Sequence, residues 1–302
     1  MTIESDLQQQ LGRKVDSVEP IATGHSGFTY FVDAEGERYV LRLPPPGARI
    51  AGPADVVRQG RIMAALHDAG LPTPAIPAMS AEPVIDGRPF VLMEAIDGER
   101  IETVGRGHSA RDIATSAVAV LHRLQAVAVE QTGIGGEDPV GLPAEMMRWA
   151  WLMQRAPEEL TTRAGELGGL LARAVPDEHP PTLVHGDYHY GNFLFRGPEV
   201  VAVLDWEIAQ IGQPLLDLGA LAVVVGRHPG EWPAAPEGEL FELYGVNGGE
   251  MRWYVAMSLY KYAAIFGYNL MLHRRGKRPD LMYEGLTGTI TTMIDQGIKL
   301  LS

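Results

Sequence analysis

The chain contains no cysteine, which excludes disulfides, thiolate-bound metal and a cysteine nucleophile. It is short of positive charge: 25 Lys and Arg stand against 38 Asp and Glu, a formal net charge of -13. A general nucleic-acid binder or a protein seated on an anionic membrane needs a net basic surface, so neither nucleic acid nor membrane is an expected partner. No run reaches the ~18 uncharged apolar residues that span a bilayer. Leu215–Gly226 is too short, and the apolar stretch around Met257 is interrupted by Lys261. The opening MTIESDLQQQLGRK lacks the charged-then-apolar pattern of a secretion signal, so a soluble, cytoplasmic protein is expected. No G-x-x-x-x-G-K-S/T run occurs, which excludes a P-loop NTPase. Gly24-His25-Ser26-Gly27-Phe28 has Phe where a nucleophile elbow needs Gly. What is present is 302 residues, 46% of them hydrophobic, enough to bury one large domain or two lobes sharing a cleft.

The hydrophobic pattern predicts a small β-rich part before a mostly helical one. Phe28–Asp33 and Tyr39–Leu43 read as a hairpin around Ala34-Glu35-Gly36-Glu37, and Pro44, Pro45 and Pro46 stop the ladder. Asp55–Ala69 has helical spacing ended by Gly70, and Phe90–Met93 reads as a buried strand. The lobes are expected to divide near Asp97, giving residues 1–97 and 98–302. Beyond it, Arg111–Val129 reads as a helix, followed by a further helix between two Gly/Pro-rich segments. Two short strands come next, at Leu194-Phe195 and Val200–Leu204. Helices close the chain at Leu215–Val225, Met251–His273 and Leu286–Leu300. There is no internal repeat.

The densest polar cluster is His185-Gly186-Asp187-Tyr188-His189-Tyr190-Gly191-Asn192, followed by Leu204-Asp205-Trp206-Glu207. A carboxylate and an amide oxygen, Asp205 and Asn192, suit Mg²⁺, a hard cation that shares oxygen ligands with phosphates. Asp187 then remains to accept a proton from an attacking hydroxyl. Any one of these residues alone would be an ordinary turn former, but together they are the parts of kinase-type phosphoryl transfer. His185 and His189 have the i, i+4 spacing of zinc ligands on a helix, yet Gly186 and Gly191 argue against a helix there. His185 reads better as a structural brace of the loop. Glu207 is either a solvated carboxylate or a site residue.

HGDYHYGN and LDWE, at this separation, resemble the signature of the aminoglycoside phosphotransferase and choline-kinase-like family. The resemblance covers roughly residues 20 to 225. It implies a two-lobed, protein-kinase-like α+β fold with a small β-rich N-lobe and a larger, mostly helical C-lobe. It implies ATP, or GTP in its place, as donor with Mg²⁺, and a small hydroxyl-bearing molecule as acceptor. Residue by residue, Ser26 and Gly27 match the loop covering the phosphates, and Arg42 the strand cation on the α/β-phosphates. Gln59 matches the helix position beside that cation, and the backbone at Glu94 and Ile96 the hinge that meets adenine. Asp187 matches the catalytic carboxylate, Asn192 and Asp205 the Mg²⁺ ligands, and Asp217 a buried structural carboxylate. The proline run after YVLRL, the R-x-x-R-I-M-x-x-L helix and YKYAAIFGYNLMLHRRG are similar to the branch related to kinase domains fused to acyl-CoA dehydrogenases.

Two positions depart from the family pattern, which usually has Lys and Glu where this chain has Arg42 and Gln59. Arg carries its charge unaided and forks onto two phosphate oxygens, with Gln59 expected to accept one of its hydrogen bonds. The departures leave open a nucleotide-binding pseudokinase beside the enzyme reading. For the acceptor, an aminoglycoside suits an acidic chain, and a hydroxylated metabolite such as a hydroxyacyl-CoA suits the branch. The cluster Arg274, Arg275, Lys277 and Arg278 is either a solvated helix end or a dock for an anionic acceptor. Oligomeric state is not readable from the pattern.

Overall fold

The computed structural model describes residues 2–21, 28–227 and 235–302. In chain order the elements begin with α1 (Ile3–Leu11), β1 (Ser17–Pro20), β2 (Phe28–Ala34), β3 (Glu37–Leu43), α2 (Val56–Asp68), β4 (Ala78–Ile85) and β5 (Arg88–Glu94). There follow α3 (Ile101–Val104), α4 (Ala110–Gln125), α5 (Leu142–Met153), α6 (Glu158–Thr161), α7 (Ala164–Arg173), β6 (Thr182–Val184), β7 (Phe193–Arg196), β8 (Glu199–Val203) and β9 (Gln210–Gly212). The chain closes with α8 (Leu215–Arg227), α9 (Glu237–Tyr244), α10 (Gly248–Arg274), α11 (Met282–Gly285) and α12 (Thr287–Leu301). It forms two compact units, Met1–Glu137 with Gly191–Ala209, and Asp138–Tyr190 with Gln210–Ser302. The protein is α+β, with an antiparallel N-terminal sheet and a mostly helical C-terminal part, as the resemblance implied.

The first unit is built on an antiparallel sheet of order β1-β2-β3-β5-β4. Side chains alternate across each strand. Val32, Leu41, Leu43, Phe90 and Leu92 therefore share one face and pack with Leu7 of α1 and with Val15. The residues between them, Thr29, Phe31, Val40, Arg42 and Met93, point to the other face, where α2 packs on β5. The β2–β3 turn has Glu35 at φ 53° and Gly36 at φ 85°, the paired left-handed residues of a tight hairpin turn. The Asp55 carboxylate caps α2 by accepting the Arg58 N–H at 2.9 Å. The sequence pattern did not predict β4, which contains Pro83. It lies at the sheet edge and its register with β5 shifts between Ser80 and Ile85, as an imino residue requires. The β7–β8 hairpin returns to this unit through backbone bonds between Glu99 and Phe195 (2.8 and 2.9 Å) and from Val203 N–H to the Pro72 carbonyl (2.7 Å).

In the second unit α10 is the central element, packed against α5, α7, α8 and α12. Every residue from Trp253 to Ala264 is buried, so α10 has no solvent-facing stripe there. One helix was expected between the two Gly/Pro-rich segments, but α5, α6 and α7 occupy that stretch, with Pro157 at the N-cap of α6. Among the described residues no helix is long and apolar enough to cross a membrane.

Candidate active site

On the α2 face of the sheet, the first unit holds a cavity of about 470 Å³ lined by Thr29, Phe31, Val40, Arg42, Gln59, Met63, Met93, Glu94, Ile96, Asn192 and Asp205, among others. Its size is within the ~300–1,000 Å³ range of small-molecule sites. Arg42 reaches this cavity by alternation, its neighbours Leu41 and Leu43 being in the core. Its Nη1 and Nη2 lie 3.4 Å from Asp205 Oδ1, and Nη2 donates to Glu207 Oε1 in a short contact. Trp206, buried between the two acids, donates from Nε1 to the Val203 carbonyl at 3.0 Å and anchors the turn. Asp205 has φ 66°, a left-handed conformation that is uncommon outside glycine and gathers at functional sites. Leu204 N–H donates to the Asn192 carbonyl at 2.8 Å, tying the Asn192 backbone to the turn that carries Asp205.

The expected hydrogen bond from Arg42 to Gln59 is not formed. Gln59, 1% exposed, donates from Nε2 to the Pro53 carbonyl at 3.0 Å, and its Oε1 accepts no hydrogen bond. A neutral amide oxygen competes poorly with two carboxylates for a guanidinium, so Arg42 turns to Asp205 and Glu207. At the strand end, Glu94 N–H donates to the Ala75 carbonyl (2.9 Å) and Ala95 N–H to the Arg38 carbonyl (3.2 Å). Ser26 and Gly27 lie outside the described residues.

The second unit carries Asp187 on the loop that follows β6. Asp217, in the first turn of α8, accepts the N–H of His185 at 2.7 Å and of Gly186 at 2.8 Å, one through each carboxylate oxygen. Gly186 adopts φ 83°, which lets two consecutive N–H groups face one carboxylate. His185 Nδ1 accepts the Asp187 N–H at 3.1 Å, so His185 braces the loop and its ring proton sits on Nε2. The Tyr262 hydroxyl donates to Asp187 Oδ1 at 2.8 Å, and His189 Nε2 lies 3.4 Å from Oδ2. Burial alone would raise the Asp187 carboxyl, but His189, Lys261 and the Tyr262 hydroxyl outweigh it and hold the group well below the usual carboxylate range. Burial pushes Asp217 up to about 7, against the two backbone N–H donors and Lys261.

Two contributors on α10 were not picked out from the sequence. In the sequence Tyr262 falls within the aromatic-rich run YKYAAIFGYNLMLHRRG, where a place in the core is the default, and Lys261 interrupts an apolar stretch. A single lysine inside a helix buried on every side is the signal that points to it. The basic cluster is partly consumed by structure: Arg274 pairs with Glu284 at 2.8 Å and with Glu159 at 2.7 Å.

Residues 17–254 match the model of the phosphotransferase enzyme family. Mouse (Mus musculus) acyl-CoA dehydrogenase family member 10 is 29% identical over 269 residues, 80% of this chain and 25% of its own length. Rat (Rattus norvegicus) member 11 is 28% identical over 298 residues, covering 87% of this chain and 38% of that protein. The chain thus spans well under half of these relatives. A homoserine kinase of Pseudomonas aeruginosa (strain LESB58) is 29% identical over 225 residues, 72% of this chain and 67% of the kinase. Among solved structures, a Ralstonia eutropha JMP134 protein provisionally named an aminoglycoside phosphotransferase superposes with TM-score 0.82 at 22% identity, covering 99% of this chain and 97% of that one. An aminoglycoside phosphotransferase complexed with GDP and kanamycin gives TM-score 0.66 at 17% identity, over 98% and 96% of the two chains. At these identities the likeness shows the protein-kinase-like fold.

Proposed function

The chain belongs to the phosphotransferase enzyme family, and from that premise we propose that it transfers the γ-phosphoryl group of ATP or GTP to a hydroxyl of a small molecule, with Mg²⁺. The observation that supports this best is the cavity of the first unit, where a guanidinium, an amide side chain and a carboxylate from Arg42, Asn192 and Asp205 line one space. Those are the groups a polyphosphate and a hard cation need. In this reading residues 1–97 carry the nucleotide and residues 98–302 the catalytic and acceptor groups.

Each residue then has a physical task. The backbone at Glu94 and Ile96 receives adenine, with Ser26 and Gly27 assigned to the phosphates. Arg42 grips phosphate oxygens and is aimed by Glu207 rather than by Gln59. The Asp205 carboxylate and the Asn192 amide oxygen are hard donors that fit Mg²⁺, which when bound would neutralise charge on the transferring group. Asp187 orients the acceptor hydroxyl and takes its proton as the new O–P bond forms and the bond to the nucleoside diphosphate breaks. So weak a base acts late, which suits a loose transition state where positioning outweighs early deprotonation.

For the acceptor, the family reading points first to an aminoglycoside-type polyol. A hydroxyacyl-CoA is the second reading, favoured by similarity to acyl-CoA dehydrogenase family members across 80–87% of this chain. The test is thermal unfolding with ATP or GTP, with and without Mg²⁺, followed by phosphoryl transfer to both acceptor classes. A Mg²⁺-dependent rise in midpoint that Asp205→Ala removes is expected, because a ligand that binds only the folded state stabilises by mass action. Asp187→Asn and Asp205→Ala should each lower turnover by ~10³-fold or more. Turnover retained by either variant overturns the roles, and nucleotide binding without transfer to any acceptor would favour a pseudokinase.

A further inference from the structure

Lys261 lies in the middle of α10 and is 6% exposed. An ammonium ion is costly to remove from water, and its neighbours Tyr260, Ala263 and Ala264 show that this helix accepts apolar residues readily. Its Nζ donates to the Gly186 carbonyl in a short contact. That carbonyl belongs to the peptide unit whose N–H is the Asp187 amide, and the Asp187 amide is itself held by His185 Nδ1. On the other side of Gly186, the N–H groups of His185 and Gly186 are held by Asp217. The backbone leading into Asp187 is thus gripped by the Asp217 carboxyl group at its donors and by an ammonium at its acceptor.

We propose that Lys261 is a positioning residue for phosphoryl transfer: its ammonium pins the Gly186 carbonyl and so fixes the direction in which the Asp187 carboxylate is presented. This rests on the catalytic reading of Asp187 given above. The surroundings explain why a lysine is kept there. Carboxylates of Glu145 on α5, Asp217 on α8 and Asp187 on the loop act on it attractively, and Arg148 opposes them. His189 and Tyr262 also face Asp187. The faces of Trp149 and Tyr262 lie 5.6 and 4.9 Å from Nζ. Burial draws the ammonium below the usual lysine range while the three carboxylates oppose that shift.

The test compares Lys261→Met and Lys261→Arg with the unmodified chain, by hydrogen exchange of the 185–190 segment and by Mg²⁺-ATP hydrolysis with water as acceptor. Lys261→Met should exchange the loop amides on the order of tenfold faster while amides of β2 and β3 are unchanged. It should lower kcat by roughly 10- to 100-fold with KM for Mg²⁺-ATP within about twofold, since misplacing a reacting group costs rate rather than nucleotide binding. Lys261→Arg, which keeps the charge but moves the donors, should fold and recover only part of both. A folded Lys261→Met with unchanged loop exchange and unchanged kcat overturns the proposal. If Lys261→Met does not fold, Lys261→Arg decides alone: loop exchange and kcat equal to the unmodified chain overturn the proposal, and faster exchange supports it. If the unmodified chain hydrolyses no ATP and transfers to no acceptor, the phosphotransfer reading fails. The exchange result still judges whether Lys261 pins the loop.

Discussion

A guanidinium set against two carboxylates is held by charge, and Arg42 is in that position with Asp205 and Glu207. The pair with Glu207 joins residues 165 apart in sequence, and both side chains are largely buried, so screening by salt is weak. If Glu207 aims Arg42 at the phosphates, Glu207→Gln should raise KM for Mg²⁺-ATP by roughly tenfold, the worth of one charge-assisted hydrogen bond, with a smaller change in kcat. A steady-state titration checks it, and an unchanged or lowered KM would mean the ion pair is only a resting contact. Arg42 was marked as a site residue by the family resemblance of its strand, and the structure places it in the cavity, on the face opposite Leu41 and Leu43. Its partner was not so marked. Nothing local distinguishes Gln59, one turn into a neighbouring helix, from Glu207, and only the charge balance of the folded site chose between them.

At the scale of elements, α8 and α10 come close enough that a Cβ on Gly219 would stand 2.7 Å from the Tyr254 carbonyl oxygen and 3.0 Å from Ser258 Oγ. A backbone oxygen cannot rotate away, so Gly219→Ala should destabilise the protein by ~1–3 kcal/mol through overpacking, measured by urea unfolding. Gly165 in α7 meets nothing within 4 Å and has no left-handed φ. Gly165→Ala should therefore be neutral or stabilising by up to ~1 kcal/mol. If both variants behaved alike, close approach would not be what Gly219 provides. Because α8 carries Asp217 and α10 carries Lys261, this contact also spaces the two groups that grip the loop carrying Asp187. The strongly periodic elements, α2, α4 and α12, and the β2–β3 hairpin were readable from sequence. The edge strands β1 and β4 were not: β1 has only four residues and ends in proline, β4 contains Pro83, and both gain definition from the neighbouring strand.

For the molecule as a whole, the buried Asp217 makes stability depend on pH in a stated direction. Its carboxyl is pushed by burial from 3.8 up to about 7, so the folded state favours the protonated form. That contribution is fully present below the unfolded pKa and is lost as pH rises through about 7. Asp217→Asn removes this titration. The difference in unfolding midpoint between the unmodified chain and Asp217→Asn should therefore shrink from about pH 5 to about pH 8. A difference that grew with pH would show that the backbone donors and Lys261 outweigh burial. Asn also turns an amide N–H₂ towards one of the two N–H donors, so the variant should be less stable than the unmodified chain at about pH 5.

The class of fold, the family and the residues of the two polar motifs could be read from the linear pattern. Those depend on local spacing: alternation in Tyr39–Leu43, Asp187 and Asn192 on one short loop, Asp205 at the end of a strand. Tertiary structure alone decided which distant groups meet. Lys261 reads as a break in an apolar run until α10 is seen to pass beneath the Gly186 carbonyl, 75 residues away in sequence. Charge pairing between remote segments has no period and no spacing rule, so a linear pattern cannot announce it. It exists only once packing has brought the two ends out of water together.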